Sequence, residues 1–435
     1  MGAAGSVGAG QNAAVSRRSG LVPGAGCGAC GQPLVSERDA LPWCESCEWN
    51  LDAYDRRRRG PGSRWIDRLT FRWALRRSTR DFAAWARDGV QRPRRATWLA
   101  LQAVSAVLLA GWALLLFTGV RLVFTEVNGW LIIGVLCLVL AYGLRPRFGR
   151  LDDELPVATR ERFPALHELI DRVAAAVGTA PPDVVALTYD MNAGTAEIGL
   201  FRRRRVMLLG LPMWAVLPAQ QRVALLGHEM GHFVNGDQRR AYLVAPAMTL
   251  VARLIEVLRP SYASMALAGP GGLAVRVFTG ALGWVVGLLE FAMHVAAARG
   301  GHQAEYLADR ISARVAGDVA ARDLADGMVV LHEVLEPLGR SARMGAGPAV
   351  WLSGAEHVRE QAAPRRTRLR QLSVREEASL FASHPPSGLR ARLLEAHQAE
   401  PPRAALVELT AEQNARIDGE LANRFEELRQ AVSAR

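Results

Sequence analysis

The chain has 435 residues, half of them hydrophobic, and is too long for one ordinary compact domain. The formal net charge is +11, and every basic residue is Arg, which indicates a GC-rich bacterial genome. The Arg residues cluster beside apolar segments, so anionic lipid is favoured over nucleic acid as the partner of this charge. Four of the five Cys form two C-x-x-C pairs, which excludes a disulfide framework and indicates a metal site in a reducing compartment.

The first 50 residues divide into a segment without periodicity and a cysteine cluster. Residues 1–26 are rich in Gly, Ala and Ser and are predicted to be disordered. Residues 27–50 fit a small zinc ribbon, although a redox pair or an iron–sulfur site uses the same residue types. The predicted ligands of its structural zinc are Cys27, Cys30, Cys44 and Cys47. Trp43 and Trp49 either form a docking surface for a partner or substrate, or pack on the ribbon itself.

A strongly basic segment, residues 51–96, follows the cysteines. Its most regular feature is an Arg at every fourth position, namely Arg64, Arg68, Arg72, Arg76 and Arg80. Trp65, Leu69 and Trp73 repeat at the same spacing. In a helix, this pattern separates guanidinium groups from indole rings, which is typical of helices that lie on anionic membranes. A solvated basic linker is the alternative interpretation.

Two apolar runs predict a transmembrane hairpin over residues 97–145. The run from Trp98 to Val120 carries no charge and is long enough for ~30 Å of helix. The second run is strongest from Trp130 to Leu144 and is short for a span, so its flanks must complete it. Arg-rich flanks at both outer ends of the hairpin place those ends in the cytoplasm.

Two further apolar segments, residues 241–258 and 275–298, are interrupted by charged residues. They are either membrane helices that turn polar faces inward or a buried hairpin of a soluble domain, and we favour the membrane. The metal-binding motifs at 228–232 and 305–309 lie on either side of this pair in the sequence and must meet at one metal. The pair therefore crosses the membrane an even number of times, if it crosses at all.

The sequence HEMGH at 228–232 lies in a helix predicted from Leu217 to Val234. His228 and His232 are four positions apart, so both imidazoles lie on one helix face and can bind one zinc ion. Glu229 lies beside the first ligand, where its carboxylate can act as the general base toward a zinc-activated water. Because short motifs of this kind also arise by chance, the rest of the site has to support the assignment.

A second acidic motif, EYLAD at 305–309, supplies the missing groups. Glu305 is the natural third metal ligand, and Asp309, one helical turn later, can accept the distal N–H of a ligating His. The alternative interpretation is that both carboxylates lie on a solvated helix face.

Together these motifs resemble the HtpX-like and CAAX-prenyl-protease family of membrane zinc metallopeptidases. The resemblance rests on HEMGHFVNGD, on EYLAD, and on the His384-Pro385-Pro386 segment with Arg390 beyond it. It implies that Glu305 is the third zinc ligand, that His384 is catalytic and steadies the oxyanion, and that Asn192 and Ala193 lie on an edge strand that binds substrate. Family members carry Arg three residues before the ligating Glu, whereas this chain has His302.

The predicted fold is mainly α: a membrane-embedded helical metalloprotease with a small β-edge near the active site and an N-terminal zinc ribbon. The predicted divisions are 1–26, 27–50, 51–96, 97–145, a metallopeptidase domain at 146–400 and a charged helical tail at 401–435.

The predicted function is zinc-dependent endoproteolysis of membrane or membrane-associated proteins, in protein quality control. The predicted location is the bacterial inner membrane, with the catalytic domain and the N-terminus in the cytoplasm. The alternative is a non-catalytic membrane scaffold that recruits a partner through the ribbon and the basic helix. An intramembrane protease is disfavoured because polar residues flank HEMGH on both sides.

Overall fold

The computed structural model describes residues 20–55, 64–91, 95–125, 129–199, 203–259 and 270–433. The predicted disorder of residues 1–19 lies outside the described residues, as does part of the basic segment, 56–63 and 92–94. Helices dominate, as predicted, and two three-stranded sheets accompany them. The strands are β1 (Gly20–Gly26), β2 (Pro33–Ser36), β3 (Trp43–Cys44), β4 (Val184–Thr188), β5 (Ala193–Ile198) and β6 (Arg204–Gly210).

The described helices fall into two groups along the chain. Those up to the HEMGH motif are α1 (Arg64–Asp88), α2 (Arg95–Thr125), α3 (Trp130–Gly143), α4 (Pro164–Val177), α5 (Leu211–Val216) and α6 (Ala219–Asn235). Those after it are α7 (Asp237–Leu258), α8 (Pro270–Ala316), α9 (Asp318–Val329), α10 (Leu331–Arg343), α11 (Pro348–Ala362), α12 (Arg366–Glu377), α13 (Ser387–Ala396), α14 (Ala411–Glu420) and α15 (Ala422–Ser433). A short 3-10 turn, Ala363–Arg365, joins α11 to α12.

The main core is built around α4, the second sheet and α6. The apolar residues of α4 recur at helical spacing and are buried, and the helix ends at Gly178, whose φ of 81° is the left-handed conformation common after helices. In the sheet, β6 lies in the middle, parallel to β4 and antiparallel to β5. The strand β5 is therefore an edge strand of this sheet, as the family resemblance implies, and it begins at Ala193, one residue after Asn192.

The helix α6 carries HEMGH through the interior of the domain. Its residues from Gln221 to Gly231 are all buried, which explains why its apolar residues are not confined to one face. Pro218 immediately precedes its first residue, and the helix ends at Gly236, where a φ of 71° turns the chain directly into α7.

Among the described residues, three helices are long and apolar enough to cross a membrane by length and composition, which indicates a membrane protein. They are α2, α7 and the part of α8 that begins at Gly272. The helix α3 is apolar but has only 14 residues, the shortness expected for the second run of the hairpin. It packs back along α2, and the indole of Trp112 donates a 2.8 Å hydrogen bond to the Ala141 carbonyl.

The helix α8 joins the predicted membrane segment at 275–298 to the EYLAD motif without a break. It contains 47 residues, about 70 Å of helix. Its first half exposes large apolar side chains such as Phe278 and Trp284, whereas Glu305 and Asp309 near its end are buried. One rigid element therefore connects the apolar helices to the polar centre described below.

The N-terminal sheet corrects the predicted boundary of disorder. The strand β1 pairs antiparallel with β2, so Gly20–Gly26 is ordered and belongs to the cysteine-containing module. This module is seated on α12. The Trp43 side chain is fully buried there and donates to Gln371, and Arg375 donates to the carbonyls of Leu41, Asn50 and Leu51. Of the two uses considered for the Trp residues, Trp43 packs against the chain's own domain, while Trp49 is 44% exposed.

The described part of the basic segment forms helix α1, so it is not a solvated linker. The apolar face of this helix packs against the rest of the protein. Phe71, Leu75 and Trp85 are buried against α12, α13 and Tyr306 of α8. Trp85 contacts the Tyr306 ring edge-on, with ring centroids 4.9 Å apart. The opposite face is exposed and carries Arg68, Arg72, Trp73, Arg76 and Arg80.

The C-terminal segment, predicted as a separate charged tail from residue 401, is part of the domain. The helix α14 begins with a capping box of Thr410 and Gln413. Four apolar residues of α14, α15 and the turn between them belong to the main core, namely Ile417, Leu421, Phe425 and Leu428. The prediction from charge overlooked these residues, whose spacing of three and four positions marks a buried helix face.

Candidate metal centre

The centre forms where α6 and α8 touch almost backbone to backbone. A Cβ atom added to Gly231 would lie 2.9 Å from the Cα of Ala308, and one added to Gly227 would lie 3.3 Å from the Cα of Ser312. The hydroxyl of Ser312 donates a 2.7 Å hydrogen bond to the Ala224 carbonyl across the same contact. The glycine inside HEMGH thus brings the histidines of α6 close to the acidic residues of α8.

The three predicted ligands meet at this contact. The Nε2 atoms of His228 and His232 lie 3.5 Å from the Oε2 and Oε1 atoms of Glu305, respectively. One donor atom from each residue lies within 4.8 Å of the others. His228 and Glu305 are buried, and His232 is only slightly exposed. Two imidazoles and one carboxylate are the ligand set of many catalytic zinc sites, so the residues present fit this ion.

Each histidine also contacts a carboxylate through Nδ1, the ring nitrogen that does not face Glu305. Asp309 Oδ1 lies 2.9 Å from His228 Nδ1, the contact expected from the spacing of EYLAD. Asp237 Oδ2 lies 3.1 Å from His232 Nδ1. These contacts fix both rings with Nε2 toward Glu305, as a metal site requires. Sequence reasoning missed Asp237, because it reaches the ring through the left-handed turn at Gly236 and not by helical spacing.

Arg390 of α13 neutralises part of the acidic cluster. Its guanidinium donates to both oxygens of Asp309, at 2.8 and 2.6 Å, and lies 3.3 Å from Glu305 Oε2. The resemblance included this Arg without a role, and the structure shows it bridging the two carboxylates of α8. This bidentate pairing is a strong one for a buried carboxylate.

The position of Arg390 depends on how α13 begins. The backbone N–H of Ser387 donates to Glu377 Oε2 at 2.6 Å, and the N–H of Gly388 donates to the Ser373 hydroxyl at 2.8 Å. A Cβ atom on Gly388 would lie 2.0 Å from the Arg370 carbonyl oxygen, so only glycine allows α12 and α13 to approach this closely.

The electrostatics of the cluster suit a cation. Burial disfavours charge on Asp309 and Glu305, but Arg390 outweighs it, lowering the pKa of Asp309 to about 2 and that of Glu305 well below its usual range. Burial also disfavours imidazolium, yet hydrogen bonds to Asp309 and Glu305 raise the pKa of His228 to about 10. The carboxylates thus stay ionised and favour positive charge between the histidines, which a bound metal supplies.

Two further histidines lie beside Glu305. The Nδ1 atom of His384 is 2.9 Å from Glu305 Oε2, and its side chain is 56% exposed, on the open side of the centre. His302 is buried where the family carries Arg, and its Nε2 lies 3.0 Å from the Ala382 carbonyl, on the segment leading to His384. Burial lowers the pKa of His302 to about 4, so this ring is neutral near pH 7 and donates that hydrogen bond.

The edge strand β5 runs along the catalytic helix. Ala193 is its first residue, and the carbonyl of Asn192 accepts from Gly210 of β6. The Thr195 hydroxyl lies 3.4 Å from the Glu229 carbonyl. The structure therefore brings the predicted substrate-binding segment to the same helix as the predicted general base.

The four N-terminal cysteines form a second cluster that could hold a metal. Their sulfur atoms lie within 4.8 Å of one another, with Cys27 3.6 Å from Cys47 and Cys30 3.4 Å from Cys44. The backbone N–H of Cys47 is the main cause that lowers the pKa of Cys44 to about 7, which favours the thiolate there. The Trp49 N–H lowers the pKa of Cys47, but burial and the three neighbouring thiols outweigh it and raise that pKa to about 12.

A family model for peptidase family M48 matches residues 160–398. The match covers more than half of the chain and includes both metal motifs, β5 and Arg390, so the chain belongs to peptidase family M48. Membership supports a metallopeptidase function, and M48 peptidases are generally zinc-dependent. The cysteine cluster lies outside the matched residues. Neither a curated protein nor a solved structure gives a match.

Proposed function

We propose that this chain is a zinc-dependent endopeptidase with one catalytic and one structural zinc ion. The observation that carries the proposal is the convergence of His228, His232 and Glu305, each held by a further charged side chain, namely Asp309, Asp237 and Arg390 respectively. Zinc bound there supplies a Lewis acid for the peptide carbonyl and a water of lowered pKa. Glu229 takes the proton from the attacking water and passes it to the leaving amine. His384, exposed beside the ligands, donates a hydrogen bond to the oxyanion.

The decisive test is Glu229→Gln in the full-length, zinc-loaded protein in nanodiscs. Glutamine keeps the shape but cannot accept the proton, so we expect cleavage to fall by at least about 100-fold while zinc content stays the same. Glu356→Gln, an exposed carboxylate on α11, is the matched control. Wild-type turnover by the Glu229 variant would rule out the proposed mechanism.

Metal content separates the peptidase from the scaffold alternative. We expect two zinc ions per chain, and one after Cys27→Ser with Cys44→Ser, with cleavage dependent on the remaining ion. A single ion that the cysteine substitutions remove, in a chain without peptidase activity, is the outcome expected of a scaffold.

The substrates we propose are membrane or membrane-associated proteins, cleaved in quality control at the bacterial inner membrane. Support comes from α2, α7 and α8, which are apolar enough to cross a membrane, and from the continuity of α8 into the centre. Arg145 and Arg147, after α3, favour a cytoplasmic catalytic domain. An impermeant thiol reagent applied to whole cells should label a cysteine introduced at Gly129, between α2 and α3, but not one at Asp153. The reverse pattern would contradict this orientation.

The exposed face of α1 is proposed to bind anionic lipid. It carries Arg68, Arg72, Arg76 and Arg80, with Trp73 53% exposed among them, and α2 follows shortly after in the chain. Backbone hydrogen exchange in α1 should be slower in nanodiscs with phosphatidylglycerol than in phosphatidylcholine discs. Replacing the four Arg with Gln should abolish this difference, and equal exchange of the wild type in both lipids would contradict the proposal.

A further inference from the structure

The outer edge of β5 is the surface that would pair with an extended peptide. Because Asn192 directs its carbonyl to Gly210 of β6, alternation along the strand directs the backbone groups of Ala193, Thr195 and Glu197 away from β6. An antiparallel peptide would pair with these residues in turn. The outer edge therefore determines how many backbone hydrogen bonds a substrate can form.

Side chains at the start of α7 already contact this edge and the residue just beyond it. The side-chain amide of Gln238 donates a 2.7 Å hydrogen bond to the outward carbonyl of Thr195 and lies 3.3 Å from its hydroxyl. Arg239 lies 3.8 Å from the carboxylate of Glu197. Further along, the Tyr242 hydroxyl donates to the Gly199 carbonyl at 3.2 Å.

The position of Gln238 is set by the catalytic helix itself. Gln238 follows Asp237, which holds His232, and both stand after the turn at Gly236 that ends α6. Thr195 is in turn tied to the Glu229 carbonyl. The edge strand, the catalytic helix and the glutamine thus form one connected unit.

We propose that Gln238 is a specificity-determining residue that ends the substrate-pairing edge after Ala193. This inference rests on the proposed peptidase function. An extended polypeptide pairs with Ala193 through its backbone, whereas the Gln238 amide already occupies the next outward carbonyl, that of Thr195. The substrate residue opposite Thr195 then needs no N–H group. The enzyme accepts proline or an N-methylated residue there, and it recognises a short extended segment instead of a long strand.

The test is a backbone N-methylation scan of one cleaved peptide with the full-length, zinc-loaded enzyme. For the wild type, we expect methylation of the amide opposite Ala193 to raise KM, and methylation two residues away to leave KM unchanged. Gln238→Ala should make that second amide sensitive, with KM rising about 2- to 10-fold on its methylation, the range for one backbone hydrogen bond. Gln430→Ala, which removes an exposed glutamine amide from α15, should retain the wild-type profile.

Gln238→Ser serves as a second variant if the alanine variant is unstable. Two sensitive amides two residues apart in the wild type would overturn the inference, as would identical profiles for the wild type and both Gln238 variants. These results differ from a failure of the proposed function, in which no variant, including the wild type, cleaves any peptide of the series.

Discussion

At the scale of single residues, the centre is distinguished by how its ligands are held. Both histidines have their Nδ1 atoms against carboxylates, yet the two carboxylates stand in different surroundings. Asp309 is buried and shared with Arg390, whereas Asp237 is the first residue of α7 and lies 3.5 Å from the partly exposed Arg240. The two contacts should therefore respond differently to the same substitution.

We expect Asp237→Asn to weaken zinc binding about 10- to 100-fold, because an amide cannot raise the basicity of the His232 ring as a carboxylate does. Asp309→Asn should weaken zinc binding similarly and, in addition, lower the stability of the metal-free protein, since it leaves the largely enclosed Arg390 guanidinium, 13% exposed, without its main counter-charge. Chelator competition measures the affinity, and thermal unfolding of the metal-free variants measures the stability. Wild-type zinc affinity for Asp237→Asn would contradict the role given to that residue.

Sequence reasoning at this scale found the residues whose relation follows helical spacing. His228 with His232, and Glu305 with Asp309, are four positions apart, so their relative placement follows from the geometry of one helix. Asp237, Arg390 and Gln238 were assigned no role, because their places depend on a turn or on the packing of separate helices. Periodicity within a sequence carries no information about such contacts.

At the scale of elements, the approach of α6 to α8 sets the distance between the ligands. We expect Gly231→Ala to force the helices apart, because its Cβ would lie 2.9 Å from the Ala308 Cα atom. Overpacking of this kind costs about 1–3 kcal/mol, and zinc affinity should fall as Glu305 moves away from the histidines. Unfolding and chelator competition test both effects.

The matched control is Gly354→Ala on α11, where an added Cβ would meet no atom within 4 Å. This variant should gain stability, since alanine favours helix over glycine by up to about 1 kcal/mol. Equal behaviour of the two alanine variants would show that the close helix contact is unimportant.

The predicted helix from Leu217 to Val234 agrees with α6 to within two residues, because its apolar run is bounded by Pro218 and Gly236. Two features of the helices could not be predicted. The regular Arg spacing of α1 drew the interpretation to its charged face, and the burial of Phe71 and Leu75 was overlooked because their partners lie on helices distant in the sequence. The apolar run and EYLAD were treated as separate segments, although α8 joins them, because polarity changes along that helix without any residue that breaks it.

At the scale of the whole molecule, the cysteine module is joined to the metal centre by a chain of contacts. The module rests on α12 through Trp43 and Arg375, α12 packs on α13 through Gly388, and α13 carries Arg390. An ion pair between Arg38 and Glu333 and one between Arg392 and Glu48 fasten the module at its sides. A structural ion in the module would therefore support the helices that position Arg390.

Removal of that ion tests whether the module supports the centre. We expect Cys27→Ser with Cys44→Ser to lower the unfolding temperature and the cleavage rate while the zinc at His228, His232 and Glu305 is retained, because the ribbon folds around its ion and α12 loses its cover. Cys137→Ser, on α3 outside the cluster, is the control and should behave as the wild type. Metal analysis, thermal unfolding and peptide cleavage of the same preparations give the comparison. If the double variant loses one zinc ion but keeps wild-type stability and turnover, the module is independent of the peptidase and its contacts with α12 do not support the centre.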